Sequence, residues 1–440
     1  SIDADGRGRS IWDTFSHTPG AIADGATGDT ACDHYHRYRE DVALMAELGL
    51  PAYRFSIAWP RVLPDGSGPV NQAGVDFYSR LVDDLLEHGI TPLLTLYHWD
   101  LPQRLQDHGG WSERGTASRF ADYAAVVAKQ LGDRVHTFTT LNEPWCSAFL
   151  GYASGEHAPG LRDLPAAFAA AHHLLLAHGL GAAAVRAERP GAEISVTLNP
   201  AKIQPASTGE RDVRAARRAE LTTNQLFLDP LLRAEIRPEL IEATRAITDW
   251  SFVQASDLRT IGIPIDFLGV NYYGPQVVGD DPGPDAPHVR WQSYPDAYLH
   301  TPPPPHTGMG WRVEPSSFTD LLVGLAAEYP NTPMVVTENG AAYPDEISPD
   351  GAVHDAERTA YFRAHIAAVA DAIGAGVDVR GYFAWSLLDN FEWAWGLAQR
   401  FGIVHVDFET QQRTPKDSAR LLSRVVAGHG DVPELSSAIV

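Results

Sequence analysis

Cysteine, methionine and lysine are nearly missing from this 440-residue chain, which holds two, three and three of them respectively. Cys32 and Cys146 are too few to frame a disulfide-stapled fold, and their scarcity points to a reducing, cytoplasmic setting. The lysine deficit (Lys129, Lys202 and Lys416 alone), set against plentiful arginine, reads as nucleotide bias in the gene rather than as function. Positive charge is short overall. A net charge of −22 repels phosphate backbones and excludes a nucleic-acid partner. Long apolar runs are lacking too. The nearest, 166–185, is Ala-rich but carries His172, His173, His178 and glycines, so it reads as a buried helix and not a membrane span. No Gly-rich phosphate turn follows the first strand, which argues against an open nucleotide-binding sheet. Cys32, His34 and His36 lie close in sequence, but alternate spacing on a helix turns side chains to different faces, so no metal is expected there.

What the chain does have is a repeating unit of helix, glycine and strand. Tyr35, Tyr38, Val42 and Met45 mark one helical face, Gly49 ends that helix, and a strand follows at 52–59. Leu81, Val82, Leu85 and Leu86 mark the next, ended by Gly89 before a strand at 91–99. Further strands are expected at 136–144, 193–200, 266–273, 333–340 and 379–388. Continuous apolar strands separated by helices imply a parallel sheet covered on both faces. The fold class is therefore α/β, expected as a (β/α)8 TIM barrel forming one domain over residues 1–440, with an open doubly wound sheet as the alternative. Seven strands are visible where eight close a barrel. The first strand is apparently missing from this sequence, because residues 1–10 read as a loop.

Chemistry in such barrels gathers at the C-terminal ends of the strands. Those ends hold Arg54, His98, Trp99, Asn142, Glu143, Asn199, Asn271, Tyr273, Glu338, Asn339 and Trp385, with Glu392 and Trp393 just beyond. Aromatics mixed with amides and carboxylates suit a sugar, which offers apolar C–H faces to indoles and hydroxyls to bidentate acceptors. Glu143 and Glu338 each end a β-prone run at a Pro or Gly, and paired carboxylates are the machinery of glycoside hydrolysis. The long loop 274–311 contains a Pro-rich stretch at 301–311 flanked by Trp291, Tyr294, Tyr298 and Trp311, and it is expected to form an ordered wall of the site mouth.

The segments 5–20, YRFSIAWPR (53–61), LYHWDLP (96–102), TLNEPW (140–145), GVNYYGP (269–275), VTENG (336–340) and WSLLDNFEWAWG (385–396) together resemble glycoside hydrolase family 1, the β-glucosidase family. That resemblance implies hydrolysis of β-glycosides with retention of configuration, without metal or organic cofactor, on a small-molecule β-glycoside or cello-oligosaccharide. It implies Glu143 as acid/base, Glu338 as nucleophile, and Arg54 and Tyr273 as the pair that hydrogen-bonds the nucleophile. His98, Asn142, Glu392 and Trp393 match positions that hold the non-reducing sugar, Trp385 its stacking platform, and Trp311 the aromatic on the aglycone side. Trp99, Asn271 and Phe401 complete the expected substrate-binding set. A carboxylate at Glu392 disfavours a 6-phosphorylated sugar. Retention requires the two carboxyl groups about 5–5.5 Å apart. Arg54 is expected to keep Glu338 ionised, and the neighbouring negative charge to raise the pKa of Glu143. Family members carry a sugar-binding Gln in a segment upstream of the point where this sequence begins.

Overall fold

A computed structural model of the chain describes residues 2–282 and 289–430. Seven strands form where the sequence placed them: β1 (Ala52–Ser56), β2 (Thr91–Tyr97), β3 (Thr137–Asn142), β4 (Glu193–Leu198), β5 (Phe267–Asn271), β6 (Met334–Asn339) and β7 (Val379–Ala384). They join in chain order into one parallel sheet that curls into a nearly closed barrel. β1 and β7 are the two edges of that sheet. Between them opens a cavity of about 1260 Å³, lined among others by Tyr53, Phe55, Phe267, Val335 and Phe383. The arrangement is that of a (β/α)8 barrel with one position in its ring open.

Helices wrap the sheet because their apolar stripes have nowhere else to go. Gln72–Glu87 buries Val75, Leu81, Val82 and Leu85 and turns Asp76 and Glu87 outward. Leu81 and Leu85, at 1% and 0% exposure, each contribute roughly 1.5–3 kcal/mol of hydrophobic stabilisation. Leu164–Glu188 is long and apolar enough to cross a membrane, yet most of it is buried in the protein. Its three histidines each meet a partner there, His172 Asp257, His173 the Trp111 carbonyl and His178 Nδ1 the Thr140 hydroxyl, while the buried His178 Nε2 has none among the described residues. His34 and His36 diverge to Asp41 and Asp33, as the helical spacing requires.

Two devices hold the loops that follow β6 and β7. The first is a buried ionic knot. Arg358 pairs with Asp345 and Asp355 (2.8 and 2.6 Å), Lys416 with Asp345 and Asp389 (2.5 and 2.8 Å), and Arg400 with Asp389 (2.7 Å). Arg358 also donates to the carbonyls of Ala341 and Arg400, tying the two loops together. The second is a latch from the N-terminal loop. The Ala23 amide donates to the Ala394 carbonyl (2.8 Å), and the Leu397 amide to the Asp24 carboxylate (2.7 Å).

The described part of loop 274–311 packs as a wall. Strands Gln276–Gly279 and Tyr298–His300 pair with each other, and the first also pairs with Ile203–Pro205. Trp291 and Tyr294 are buried, and the Gly308 amide donates to the Ala342 carbonyl. Residues 283–288 of that loop lie outside the described residues.

Candidate active site

The strands deliver Arg54 (β1), Asn142 (β3), Asn271 (β5) and Glu338 (β6) to one end of the barrel, where they form a single hydrogen-bonded network with Glu143 and Tyr273. Arg54 donates one nitrogen to Glu338 Oε1 (2.7 Å) and another to Asn142 Oδ1 (2.6 Å). The Tyr273 hydroxyl donates to the other Glu338 oxygen (2.6 Å). Burial, with Glu338 next, holds the Tyr273 phenol well above its ordinary pKa, so it stays a donor. Asn271 donates to Glu143 Oε1 (2.7 Å), and the Cys146 thiol to Glu143 Oε2 (3.2 Å).

The two glutamates therefore sit in opposed surroundings. Glu338 meets a cation and a phenol. Glu143 is pushed up to about 8, first by burial and then by the charge of Glu338; Asn271, Cys146 and Arg54 pull the other way. A general acid must be protonated in the free enzyme. Its raised pKa keeps that proton through neutral pH, and kcat/KM for a poor leaving group is expected to fall as pH rises past about 8. A pH–rate profile whose alkaline limb instead lay near pH 5 would contradict this environment.

Asn142 orders the sugar-facing side. Because its oxygen is taken by Arg54, its amide nitrogen must face His98, to whose Nε2 it donates (3.0 Å). Burial, and Arg54 after it, depresses the His98 pKa well below normal, so the ring is neutral. Nε2 accepts, so the ring proton is on Nδ1. His98 lies flat against Trp385 and Trp393, with ring centroids 5.7 and 5.8 Å away. Gly340 makes this possible, since a Cβ there would come within 1.9 Å of the Trp385 carbonyl.

Glu392 is raised to about 8 by burial and by Glu338, while the Trp385 side chain lowers it through a hydrogen bond. Protonated at neutral pH, it disfavours a phosphate less by repulsion than the sequence suggests. On the far side Trp311 and Phe401 pack on Tyr273, with centroids 5.1 and 5.9 Å away. Glu143, Trp99 and Trp393 all hold left-handed backbone (φ 45°, 80° and 48°), a conformation costing each roughly 1–3 kcal/mol.

Every residue expected at the site is near this network, but two work on the protein rather than toward the opening. Trp99 is buried, donates its indole N–H to the Asn142 carbonyl (3.0 Å) and packs on Trp393. Asn271 points its amide at Glu143 and at Asn142 Oδ1 (3.2 Å). Sequence reasoning passed over Cys146, three residues after Glu143, and the hydroxyls of Thr197 and Thr337. The ladder is irregular between Thr139 and Asn142 and between Val270 and Asn271. Such irregularities re-aim side chains, so simple alternation along the strand gave no signal.

The sequence matches glycosyl hydrolase family 1 over residues 1–431. It is 52% identical over 440 residues to a bifunctional β-D-glucosidase/β-D-fucosidase of Bifidobacterium breve, covering 96% of this chain and 94% of the relative. It is 47% identical to β-glucosidase A of Thermotoga maritima, covering 97% and 94%. Among solved structures, the psychrophilic β-glucosidase of Micrococcus antarcticus superposes with a TM-score of 0.94 at 47% identity, covering 98% of this chain and 94% of that one. The T. maritima β-glucosidase in complex with deoxynojirimycin superposes at 0.92 with 46% identity, covering 98% and 95%.

Proposed function

Because the chain belongs to glycosyl hydrolase family 1, we propose that it is a retaining β-glucosidase that removes terminal, non-reducing β-D-glucosyl residues through a covalent glycosyl-enzyme. The observation that carries this reading is the opposed pair of carboxyl surroundings. Glu338, with a donor on each oxygen, attacks the anomeric carbon. Glu143, kept protonated by burial and by Glu338, protonates the departing oxygen. Forming the ester removes the charge on Glu338, one of the two causes of the raised Glu143 pKa. The Glu143 pKa then falls, and the same group serves as base toward water.

Asn142 keeps one amide hydrogen for the sugar 2-hydroxyl, a contact that strengthens as the oxocarbenium-like transition state develops. His98 and Glu392 take the other hydroxyls, and Trp385 and Trp393 take the apolar ring face. Trp311, Phe401 and the adjoining loop face the aglycone, which we read as aryl or cello-oligosaccharide. The relative described as both glucosidase and fucosidase favours tolerance along the edge of the sugar that Glu392 would read. The free thiols of Cys32 and Cys146 support a reducing, cytoplasmic setting.

Retention fixes the first product. Proton NMR during cleavage of an aryl β-glucoside is expected to show β-glucose before mutarotation. Initial α-glucose would overturn the double-displacement reading.

A further inference from the structure

The Asn271 amide is held on three sides, and its orientation decides what Glu143 meets. Its nitrogen donates to Glu143 Oε1 (2.7 Å) and lies 3.2 Å from Asn142 Oδ1, while its oxygen accepts from the Thr337 hydroxyl (2.7 Å). Thr197 in turn donates to Thr337 Oγ1 (3.3 Å), and both threonines are buried, at 0% and 1% exposure. A carboxamide can turn over, exchanging two groups of similar size. A protonated Glu143 could itself donate to a turned Asn271 oxygen. Its proton would then sit on Oε1, the oxygen engaged by Asn271, and not on Oε2.

Two fixed partners prevent this. Arg54 holds Asn142 so that only an acceptor faces the Asn271 nitrogen. Thr197 fills one acceptor site of the Thr337 hydroxyl and so directs its hydrogen to the Asn271 oxygen. Gly269 leaves room for this pair, because a Cβ there would come within 2.3 Å of Thr197 Oγ1 and 3.0 Å of Thr337 Oγ1.

We propose that Thr337, oriented by Thr197, is a positioning residue that holds the Asn271 N–H on Glu143 Oε1 in both halves of the cycle, so that the transferable proton is confined to Oε2. The idea rests on the acid/base reading of Glu143. As acid, Glu143 then carries its proton on the oxygen met only by the weak Cys146 donor. As base, it accepts the water proton on that same oxygen. The charged or titratable groups facing Glu143 are Glu338, Arg54, Cys146, Tyr273 and Glu392, and none of them contacts the Thr337 hydroxyl.

Thr337→Val keeps the shape and removes the hydroxyl. The Asn271 oxygen loses its donor, the turned amide gains population, and protonated Glu143 is stabilised in an unproductive form. The alkaline limb of kcat/KM should move upward. Activity on a poor leaving group should fall roughly tenfold, about the rate equivalent of one lost buried hydrogen bond, with less effect on kcat/KM for a dinitrophenyl glucoside. Thr337→Ser should restore the limb, and Thr197→Val should move it in the same direction by less.

A Thr337→Val limb at the wild-type pH, with equal losses on good and poor leaving groups, overturns the proposal. If that variant does not fold, an unmoved limb in Thr197→Val overturns it equally. Glu143→Gln separates the premise: should it keep the wild-type alkaline limb, the acid/base reading fails, whatever the threonine variants do.

Discussion

Glu338→Gly should abolish hydrolysis, by about 10⁵-fold or more in kcat, and azide should then restore cleavage of a dinitrophenyl β-glucoside as the α-glucosyl azide. The size follows from the mechanism. Without the carboxylate no covalent intermediate forms, and the strongly oriented acceptor of Arg54 and Tyr273 is gone as well. Glycine leaves space on the face from which Glu338 attacks, and an anion entering beside Arg54 can attack from there. It inverts the centre because no second displacement follows. Removing the Glu338 charge also removes one of the causes that raise the Glu143 pKa, so azide-rescued cleavage of a glucoside with a poorer leaving group, which does need the acid, should lose it at lower pH than the native reaction does. Retained hydrolysis in the variant, or a β-azide product, would sink the assignment of Glu338.

Glu143→Ala should show the complementary pattern. Glycosides with poor leaving groups should lose about 10²–10⁴-fold, the range for one positioned proton donor. A dinitrophenyl glucoside needs no proton on its leaving oxygen, so its first step should survive and the glycosyl-enzyme should accumulate. A burst followed by slow turnover, with a low apparent KM, is the expected record. Azide should speed the second step and give the β-glucosyl azide, because attack on the ester inverts a second time. The anomer of the azide product thus assigns the two glutamates independently of any distance between them. Identical products from both variants would leave the roles unassigned to these residues.

Much of this was readable from residues alone. The seven strands lie where the repeat of helix, glycine and apolar run placed them, and Glu143 and Glu338 stand out because each closes such a run. The supporting contacts were harder to see. Arg54 and Tyr273 were legible as partners of Glu338 only through resemblance, since nothing in their local pattern says which side chain they meet across the barrel. Trp99 and Asn271 show the limit most plainly. Strand-end position marks them as site residues, but whether a group faces the sugar or braces its neighbour depends on ladder irregularities and left-handed backbone that periodicity does not encode. Cys146, Thr197 and Thr337 are small, common residues whose importance lies in which lone pair they fill. The elevated pKa of Glu392 was hidden for another reason: burial is a property of packing, not of motif.

The ionic knot of Asp345, Asp355, Asp389, Arg358, Arg400 and Lys416 has a consequence for how this enzyme can change over time. Three acids answer three bases, and nearly all of them are shut away from solvent. Deleting any one strands an opposite charge inside, at roughly 3–5 kcal/mol, whereas exchanging a whole pair for apolar residues can be neutral. Drift at these positions must therefore come in matched pairs. The loops on either side can vary singly, so descendants can try new aglycones while the anchor beneath those loops stays as it is.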